Sequence, residues 1–262
     1  MIVSCCELAP VIGAFADNQA RAAHAIEAAA RAGSDVIVLP ELVLSGYCFD
    51  SVEEARSLAV PADWAGFDEW ARLAPDSVVV AGFAERGPAG ELFNSAVLLH
   101  QGRRVSYRKV HLWDREKLFF TPGTAAAPVV DTAHGRIAMM VCYDLEFPEY
   151  TRSVGLRGAA LLAVPTNWPY LDRPDGWPAP EVVLAMAAAR VNRMAVAVCD
   201  RRGVERGQRW NQGTTIIGPD GWPRATVDPD GVARAELELA ETADKTLSER
   251  NDLFADRRPE LY

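Results

Sequence analysis

The chain has 262 residues, of which 49% are hydrophobic and 24% are charged. This balance is typical of a globular protein that buries a substantial core, and it excludes a disordered chain or a fibre. The 27 Lys and Arg residues are outnumbered by 36 Asp and Glu residues, which gives a net charge of -9. Because such a surface repels phosphate backbones and anionic membranes, we expect neither nucleic acid nor a membrane as a partner.

The cysteines and the amino-terminal residues bear on the expected compartment. Residues 1–10 lack the basic stretch of an export signal, and polar residues interrupt every apolar run before about 18 residues. Five cysteines, at positions 5, 6, 48, 142 and 199, show no Cys-x-x-Cys spacing, and their odd number favours reduced thiols. We therefore expect a cytoplasmic protein, folded as one domain over residues 1–262, with one reactive cysteine.

Apolar patterns along the chain alternate between the periodicities of strands and helices. We expect Asp17 to cap the first helix and Gly33 to end it. The alternation predicts an α/β fold, with one mixed sheet or with two sheets packed together and helices outside. In chain order the predicted elements are a helix over 19–31, strands over 35–39 and 77–83, a hairpin of 94–100 and 103–107, a strand over 135–141, a helix over 148–157, a strand over 159–164, a helix over 181–193, a strand over 194–199, and a hairpin of 213–217 and 222–227.

Chemically active side chains follow three of the predicted strands. Glu41 comes after the strand 35–39, Cys142 after the strand 135–141, and Asn167 with Trp168 after the strand 159–164. Ligands of layered α/β proteins bind at the carboxyl ends of strands. A carboxylate, a thiol and an amide at three such ends therefore indicate a functional site.

Cys142 is the candidate nucleophile. It ends an apolar strand and precedes a predicted helix, which places its side chain on a sharp turn beside unpaired backbone N–H groups. Such groups can lower the pKa of a thiol and bind a developing oxyanion, which are the two requirements of covalent acyl transfer. From this segment alone, a buried structural cysteine is an equally good interpretation.

Glu41 and Lys109 are the candidates for a general base and for an oxyanion-binding cation. A carboxylate buried at a strand end has a raised pKa, which suits proton transfer near neutral pH. An ammonium group at the end of the second hairpin strand can stabilise both a thiolate and a tetrahedral oxyanion. Taken singly, a solvated loop position for Glu41 and a solvated sheet edge for Lys109 remain open.

Three segments together resemble the motifs of the nitrilase superfamily of carbon-nitrogen hydrolases. They are Leu-Pro-Glu-Leu at 39–42, Tyr-Arg-Lys-Val-His-Leu-Trp at 107–113, and Val-Cys-Tyr-Asp-Leu-Glu-Phe-Pro-Glu at 141–149. The resemblance extends to the region 212–221 and to the tail 257–262. It implies a four-layer αββα sandwich of two mixed sheets with helices outside, and subunits that form a homodimer or a higher homo-oligomer.

The same resemblance implies a catalytic triad of Glu41, Lys109 and Cys142. Glu41 is then the general base, Cys142 the nucleophile, and Lys109 with the backbone N–H of Tyr143 the oxyanion site. Glu116 resembles the second glutamate of the family, which holds the lysine and the substrate nitrogen in place. The implied reaction is attack of the thiol on an amide carbonyl, release of ammonia or an amine, and hydrolysis of the thioester by water. No metal and no organic cofactor is required.

The residues after the cysteine narrow the implied substrate. The pair Tyr143-Asp144 resembles the amidase and carbamoylase branches of the superfamily, whereas nitrilases carry Trp-Glu at this place. Glu146 stands where branches that bind carboxylate substrates carry Arg, so repulsion between like charges favours a small neutral or cationic amide. Asn167 and Trp168 are further candidates for substrate binding.

Alternative functions stay open at this point. One is an N-carbamoyl amine amidohydrolase similar to the enzymes that act on carbamoylputrescine, and another is a nitrilase. A protein of a different class, a non-catalytic binding protein built on the same fold, would be expected to lack a member of the triad. An acyltransferase would form the same thioester but would pass the acyl group to an added amine instead of water.

Overall fold

The structure of the chain is a computed structural model that describes residues 1–261, so Tyr262 of the expected domain 1–262 lies outside it. Most of the strands belong to two large mixed sheets. In chain order, the described strands are β1 Ile2–Cys6, β2 Val36–Val38, β3 Val78–Arg86, β4 Leu92–His100, β5 Arg103–Arg108, β6 Val129–Thr132, β7 Gly135–Met139, β8 Leu161–Pro165, β9 Ala195–Cys199, β10 Val204–Glu205, β11 Gln208–Arg209, β12 Thr215–Ile217, β13 Pro223–Thr226, β14 Val232–Glu236, β15 Thr246–Ser248 and β16 Asn251–Asp252.

Helices occupy the connections between many of these strands. None of them within residues 1–261 is both long and apolar enough to cross a membrane. Short 3₁₀ turns cover Asp114–Leu118, Cys142–Glu146 and Pro259–Leu261. The α-helices are α1 Phe15–Arg31, α2 Val52–Leu58, α3 Gly66–Leu73, α4 Pro148–Leu156, α5 Pro180–Asn192 and α6 Ala240–Ala243.

The first sheet has six strands in the order β14-β1-β2-β3-β4-β5. Strands β1, β2 and β3 are parallel, because helices connect them and return the chain in the same direction. Strands β3, β4 and β5 are antiparallel neighbours joined by short turns, and β14 pairs antiparallel with β1. The hairpin predicted for 94–100 and 103–107 is therefore confirmed.

The second sheet also has six strands, in the order β13-β12-β9-β8-β7-β6. Its centre, formed by β7, β8 and β9, is parallel, and helices α4 and α5 connect these strands. Its two margins are antiparallel, through β6 paired with β7 and through β12 paired with β9 and β13. The predicted alternation of strands and helices over 135–199 corresponds to this parallel centre.

Side-chain alternation along the strands sets the order of the layers. Val36 and Val38 pack in the core between the two sheets, whereas Ile37 faces the side covered by α1 and α3. On the far side of the second sheet, Ala185 and Ala189 of α5 pack against the strands. The layers thus follow the order helix, sheet, sheet, helix, and the expected αββα sandwich is confirmed.

The start of α1 differs from the sequence prediction. The helix begins at Phe15, and Asp17 lies in its first turn instead of capping it, so that prediction is wrong. Asn18, also in the first turn, bonds to the chain that precedes the helix, where its Oδ1 accepts the N–H of Val11 at 2.9 Å. Its Nδ2 donates to the carbonyl oxygen of Leu44 at 3.0 Å. These bonds tie the helix start to the segment that follows β2.

The sandwich brings the carboxyl ends of strands from both sheets together. The backbone N–H of Glu41, after β2 in the first sheet, donates to the carbonyl oxygen of Thr166, after β8 in the second sheet, at 3.4 Å. The side-chain amide of Asn167 donates to the carbonyl oxygen of Glu41 at 2.9 Å. The segments that follow β2 and β8 are therefore in direct contact across the sandwich.

Gly82 in β3 allows the segment with Glu41 to lie directly on the first sheet. Its N–H donates to Pro40 at 3.1 Å, and its carbonyl oxygen accepts the N–H of Val43 at 3.0 Å. A Cβ atom at this position would collide with the Cα of Glu41 and would lie 2.7 Å from the backbone nitrogen of Leu42. Leu42 itself has a φ of +50°, so the turn has little freedom to move aside.

We expect Gly82→Ala to displace Glu41 and to lower the free energy of unfolding by about 1–3 kcal/mol, as overpacking of a core does. Denaturant titration followed by circular dichroism measures the change. Gly218→Ala is the matched control, because its Cβ would meet the guanidinium of Arg224, a flexible group that can move. Equal stability of the two variants would contradict the proposed close packing.

Candidate active site

Glu41 is completely buried at the edge where the two sheets meet. Its Oε1 accepts hydrogen bonds from Asn94 Nδ2 at 2.7 Å and from Lys109 Nζ at 2.8 Å. Its Oε2 is also buried and has no hydrogen-bond partner in the described part of the chain. One oxygen of this carboxylate is thus held in place, while the other is free to accept a proton.

Lys109 lies directly after β5, with its side chain completely buried. Its ammonium group bridges two carboxylates, at 2.8 Å from Oε1 of Glu41 and at 2.7 Å from Oε1 of Glu116. The backbone N–H of Lys109 donates to Asn94 at 2.8 Å, and its carbonyl oxygen accepts from Gly123 at the same distance. The lysine is therefore fixed at both its backbone and its side chain.

Glu116 lies in the 3₁₀ turn Asp114–Leu118 and is 3% exposed. Besides the bond from Lys109, its Oε1 accepts the hydroxyl of Tyr47 at 2.6 Å. Its Oε2 accepts the backbone N–H of Trp113 at 3.2 Å. The sequence predicted that Glu116 holds Lys109, and the structure places the two side chains in direct contact.

Cys142 begins the 3₁₀ turn that follows β7 and has a φ of +48°, a strained value for a residue other than glycine. Its side chain is buried, and its Sγ lies 4.0 Å from the carbonyl oxygen of Asn167. The sharp turn predicted between strand and helix is therefore present. Strain of this kind concentrates at functional sites, where the surrounding structure enforces it.

Asp144, two residues after the cysteine, holds this turn against the lysine segment. Its Oδ2 accepts the backbone N–H of Val141 at 3.2 Å and the hydroxyl of Tyr107 at 2.7 Å. Its Oδ1 lies 2.9 Å from the backbone nitrogen and 2.8 Å from Nδ1 of His111. Asp144 therefore connects residues on both sides of Lys109 to the turn that carries Cys142.

Burial determines the protonation states of the three central groups. Burial raises the pKa of Glu41 to about 7, against the opposing effects of Lys109 and Asn94. Burial and then the charge of Glu41 raise the pKa of the Cys142 thiol well above its ordinary value. Burial disfavours the ammonium of Lys109, but Glu116 and Glu41 outweigh it and hold the pKa of Lys109 well above its ordinary value.

The protonation of Cys142 differs from the sequence expectation. The turn after the strand was expected to lower the pKa of the thiol, whereas the buried surroundings and the neighbouring carboxylates raise it. At neutral pH the sulfur therefore keeps its proton. A base that took this proton would need a pKa near neutral, and the pKa of Glu41 lies there.

Two cavities adjoin at this site and share Trp113 and Pro169 as walls. The inner cavity, of about 120 Å³, contains Cys142. The outer cavity, of about 510 Å³, reaches Glu116 and opens towards the hairpin of β10 and β11. The inner cavity is lined by Trp113, Cys142, Tyr143, Glu146, Trp168, Pro169, Leu171, Pro180, Glu181 and Leu184.

The predicted substrate-binding residues occupy different places. Tyr143, Glu146 and Trp168 line the inner cavity, and Trp168 is only 1% exposed. Asn167 lies outside that lining, because its side-chain amide is used to hold the backbone of Glu41. Its placement makes Asn167 a support for the carboxylate, which is a different position from the one the sequence suggested.

Sequence reasoning missed three residues of this site. Asn94 and Asp144 hold Glu41 and the cysteine turn, and Glu181 adds a second carboxylate to the inner cavity. Asp144 belongs to the segment 141–149 that resembles a family motif. A polar residue directly after an apolar strand was the signal that could have indicated its role. Asn94 lies on a buried strand and Glu181 on a helix 39 residues after Cys142, so no local pattern linked them to the site.

Comparison with known proteins assigns the family. The family model for carbon-nitrogen hydrolases matches residues 2–245. The chain therefore belongs to the carbon-nitrogen hydrolases of the nitrilase superfamily. It is a hydrolase that acts on carbon-nitrogen bonds other than peptide bonds.

Relatives of known name are similar along nearly the whole chain. A nitrilase of Pyrococcus abyssi is 33% identical over 251 residues, which are 94% of this chain and 92% of that protein. A 2-oxoglutaramate amidase of Bacillus subtilis is 27% identical over 270 residues, which are 99% of this chain and 98% of that protein.

Solved structures of an amidase from Nesterenkonia sp. AN1 are similar in fold. One has a TM-score of 0.80 at 28% identity and covers 100% of this chain and 98% of that one. A variant of that amidase, with the same TM-score of 0.80, carries acrylamide on its active-site cysteine. The relatives thus include both nitrilases and amidases.

We expect Tyr47→Phe to lower the free energy of unfolding by about 1.5–3 kcal/mol, because it removes a hydrogen bond to the buried carboxylate of Glu116. Denaturant titration measures this loss. The control is Tyr170→Phe at a half-buried tyrosine that keeps its ring contact with Arg209, and it should change stability by about 0.5 kcal/mol or less. A loss no larger than in the control would show that Glu116 does not depend on this hydroxyl.

Proposed function

We propose that the chain hydrolyses a small neutral or cationic amide through a thioester on Cys142 and releases ammonia or an amine. The observation that carries this proposal is the state of Glu41, whose Oε1 is held by Lys109 and Asn94 while Oε2 is buried without a partner. A buried unpaired oxygen is costly and needs an explanation. A general base that awaits a proton from the thiol supplies one.

The first half of the reaction forms the thioester. The Cys142 sulfur attacks the carbonyl carbon of the amide, and its proton passes to the carboxylate of Glu41 as the C–S bond forms. The resulting tetrahedral intermediate carries a negative oxygen. Glu41 then gives the proton to the substrate nitrogen, the C–N bond breaks, and ammonia or an amine leaves.

The second half regenerates the enzyme with the same residues. Water attacks the thioester carbon, and Glu41 accepts the proton that water loses. The second tetrahedral intermediate collapses, the C–S bond breaks, and the sulfur takes the proton back from Glu41. The products are a carboxylic acid and the free thiol, so water is the only co-substrate.

Lys109 and the backbone N–H of Tyr143 supply the proposed oxyanion site. An ammonium group has three N–H donors, and the contacts with Glu41 and Glu116 use two of those on Lys109. The third donor is available for a developing oxyanion. Donors that are fixed in a dry site before reaction stabilise such charge far better than water does.

The substitution of each proposed catalytic residue tests the function. Cys142→Ala should abolish ammonia release from small amides, because no other atom replaces the nucleophilic sulfur. Glu41→Gln cannot accept a proton and Lys109→Ala removes the oxyanion charge, so each should lose on the order of 10²-fold or more in kcat. Glu53→Gln, at an exposed carboxylate on α2, is the control and should keep the normal rate.

Mass spectrometry of a quenched reaction gives an independent check on the thioester. The acyl fragment should add to Cys142 and to none of the other four cysteines. Activity in Cys142→Ala would contradict the mechanism. An intact fold with no turnover of amides, carbamoyl amines or nitriles would favour a non-catalytic binding protein.

The rate of amide hydrolysis should increase with pH through about 7, since Glu41 accepts a proton only when it is ionised. Asn94→Leu removes a hydrogen bond that lowers the pKa of Glu41, and should move the midpoint of the profile to higher pH. Initial rates between about pH 5 and 9 measure both effects. Asn251→Leu, at an exposed amide, is the control and should leave the midpoint unchanged. A midpoint of the wild-type profile near 4.5, the ordinary pKa of a glutamate, would contradict the role of Glu41.

We also propose that residues 1–262 act as one domain and that copies of the chain form a homodimer or a higher homo-oligomer in the cytoplasm. The exposed apolar side chains Leu156 on α4 and Val183 and Val191 on α5 support an interface, because they lie 41–46% exposed on helices that pack together. The five free cysteines suit a reducing compartment.

Light scattering tests the proposed assembly. The wild-type protein should have at least twice the mass of one chain, 28.5 kDa, and Val183→Lys should reduce this mass. Val204→Lys, at an exposed apolar residue of β10, is the control. A wild-type mass of a single chain would refute the assembly.

A further inference from the structure

The inner cavity beside Cys142 has an acidic lining. Glu146 and Glu181 both line it, and among its described lining residues there is no Lys, Arg or His. The remaining walls are largely apolar and aromatic, with Trp113 and Trp168 among them. A ligand that enters this cavity therefore meets two carboxylates and no positive charge on its walls.

The fold places the two carboxylates there from different elements. Glu146 ends the 3₁₀ turn that begins with Cys142, and Glu181 lies in the first turn of α5. Glu146 does not cap α4, because Phe147 is the residue before that helix and no side-chain cap is formed. Both side chains are thus available to the cavity.

The charges of these two residues are poorly compensated by the protein. Burial and then the nearby charge of Glu181 raise the pKa of Glu146, and burial raises the pKa of Glu181. Lys109 opposes this rise in the pKa of Glu146, but its ammonium group is already bound to two other carboxylates. Arg173 opposes the rise in the pKa of Glu181, but its guanidinium donates to Asn211.

The hydrogen bonds of the cavity wall are also incomplete. Glu181 is 7% exposed and accepts hydrogen bonds from Asn211 Nδ2 at 3.1 Å and from its own backbone N–H, whereas Glu146 forms no ion pair within residues 1–261. Trp168 is 1% exposed, lines the same cavity, and has a buried indole N–H without a partner. Buried polar groups without partners cost free energy unless a ligand satisfies them.

We infer that Glu146 and Glu181 bind an ammonium group of the substrate, whose amide carbonyl then lies at Cys142. This inference rests on the proposed function and narrows it from a neutral or cationic amide to a short aliphatic amide that carries a primary amine. An ammonium group between the two carboxylates removes their mutual repulsion and gains charge-assisted hydrogen bonds. The cavity, about 120 Å³, suits a short chain, since pockets for drug-sized ligands span roughly 300–1,000 Å³.

Binding to an inactive variant tests the inference without turnover. Calorimetry with Cys142→Ala at about pH 8, where alkyl amines stay protonated, compares 4-aminobutanamide with its neutral isostere pentanamide and with the anionic glutaramate. A second pair, 6-aminohexanamide and heptanamide, tests a longer distance between the ammonium group and the amide. We expect the amine of at least one pair to bind about tenfold or more tightly than its isostere, and glutaramate to bind most weakly.

Substitution of the carboxylates assigns the preference to them. Glu146→Gln and Glu181→Gln, each combined with Cys142→Ala, should reduce the ratio of the affinity for the amine to the affinity for its neutral isostere. The variant with both substitutions should bring this ratio close to one. Glu53→Gln, at an exposed carboxylate on α2, removes one negative charge outside the cavity and should leave this ratio unchanged. The ratio of kcat/KM values for each pair in the wild-type enzyme is the second readout.

The outcomes separate this inference from the proposed function. If the wild-type enzyme hydrolyses the neutral isosteres as well as the amines, and the inactive variant shows no preference at either length, the ammonium site is refuted while the thioester mechanism stands. If Cys142→Ala binds the amines more tightly than their isosteres but still hydrolyses amides, the binding site stands and the mechanism fails. A preference that persists without both carboxylates also refutes the assignment.

Discussion

The buried ammonium group of Lys109, bridging Glu41 and Glu116, is the interaction on which the rest of this site depends. Three charges enter a dry interior together, and each is tolerable there only because the others are present. The loss of one partner from such a set costs roughly 3–5 kcal/mol, since it leaves an uncompensated buried charge. The loops after β2 and β5 and the 3₁₀ turn with Glu116 must therefore assemble as a unit, which explains their many additional hydrogen bonds.

Burial of this unit, more than the balance of its charges, shapes the chemistry. Burial raises the pKa of Glu41 and of the Cys142 thiol, and in the proposed mechanism the proton starts on the sulfur and is exchanged through the carboxylate. Cysteine enzymes that rely on a preformed thiolate need a positive surrounding instead. The second sheet contributes the proposed nucleophile and the first sheet the proposed base and the lysine, and Asp144 hydrogen-bonds to residues on both sides.

The fold and the central residues could be predicted because they leave local signals. Buried parallel strands appear as short apolar runs, and the polar residues that follow them, Glu41 and Cys142, are conspicuous at their ends. The cap predicted at Asp17 is wrong because α1 begins two residues earlier, at Phe15. The predicted lowering of the thiol pKa is wrong because burial, and then the charge of Glu41 from the other sheet, raises it. Asn94 and Glu181 could not be found because their roles exist only after both sheets have packed.

The retained proton on Cys142 also affects how the protein survives between turnovers. Peroxides and disulfides react with thiolates and hardly at all with thiols, so oxidation to sulfenic acid is slow while the sulfur stays protonated and buried. In the proposed mechanism, only a bound acyl donor gives the proton a productive route through Glu41 and makes the sulfur strongly nucleophilic. Such an arrangement confines the reactivity of the sulfur to the moment of catalysis.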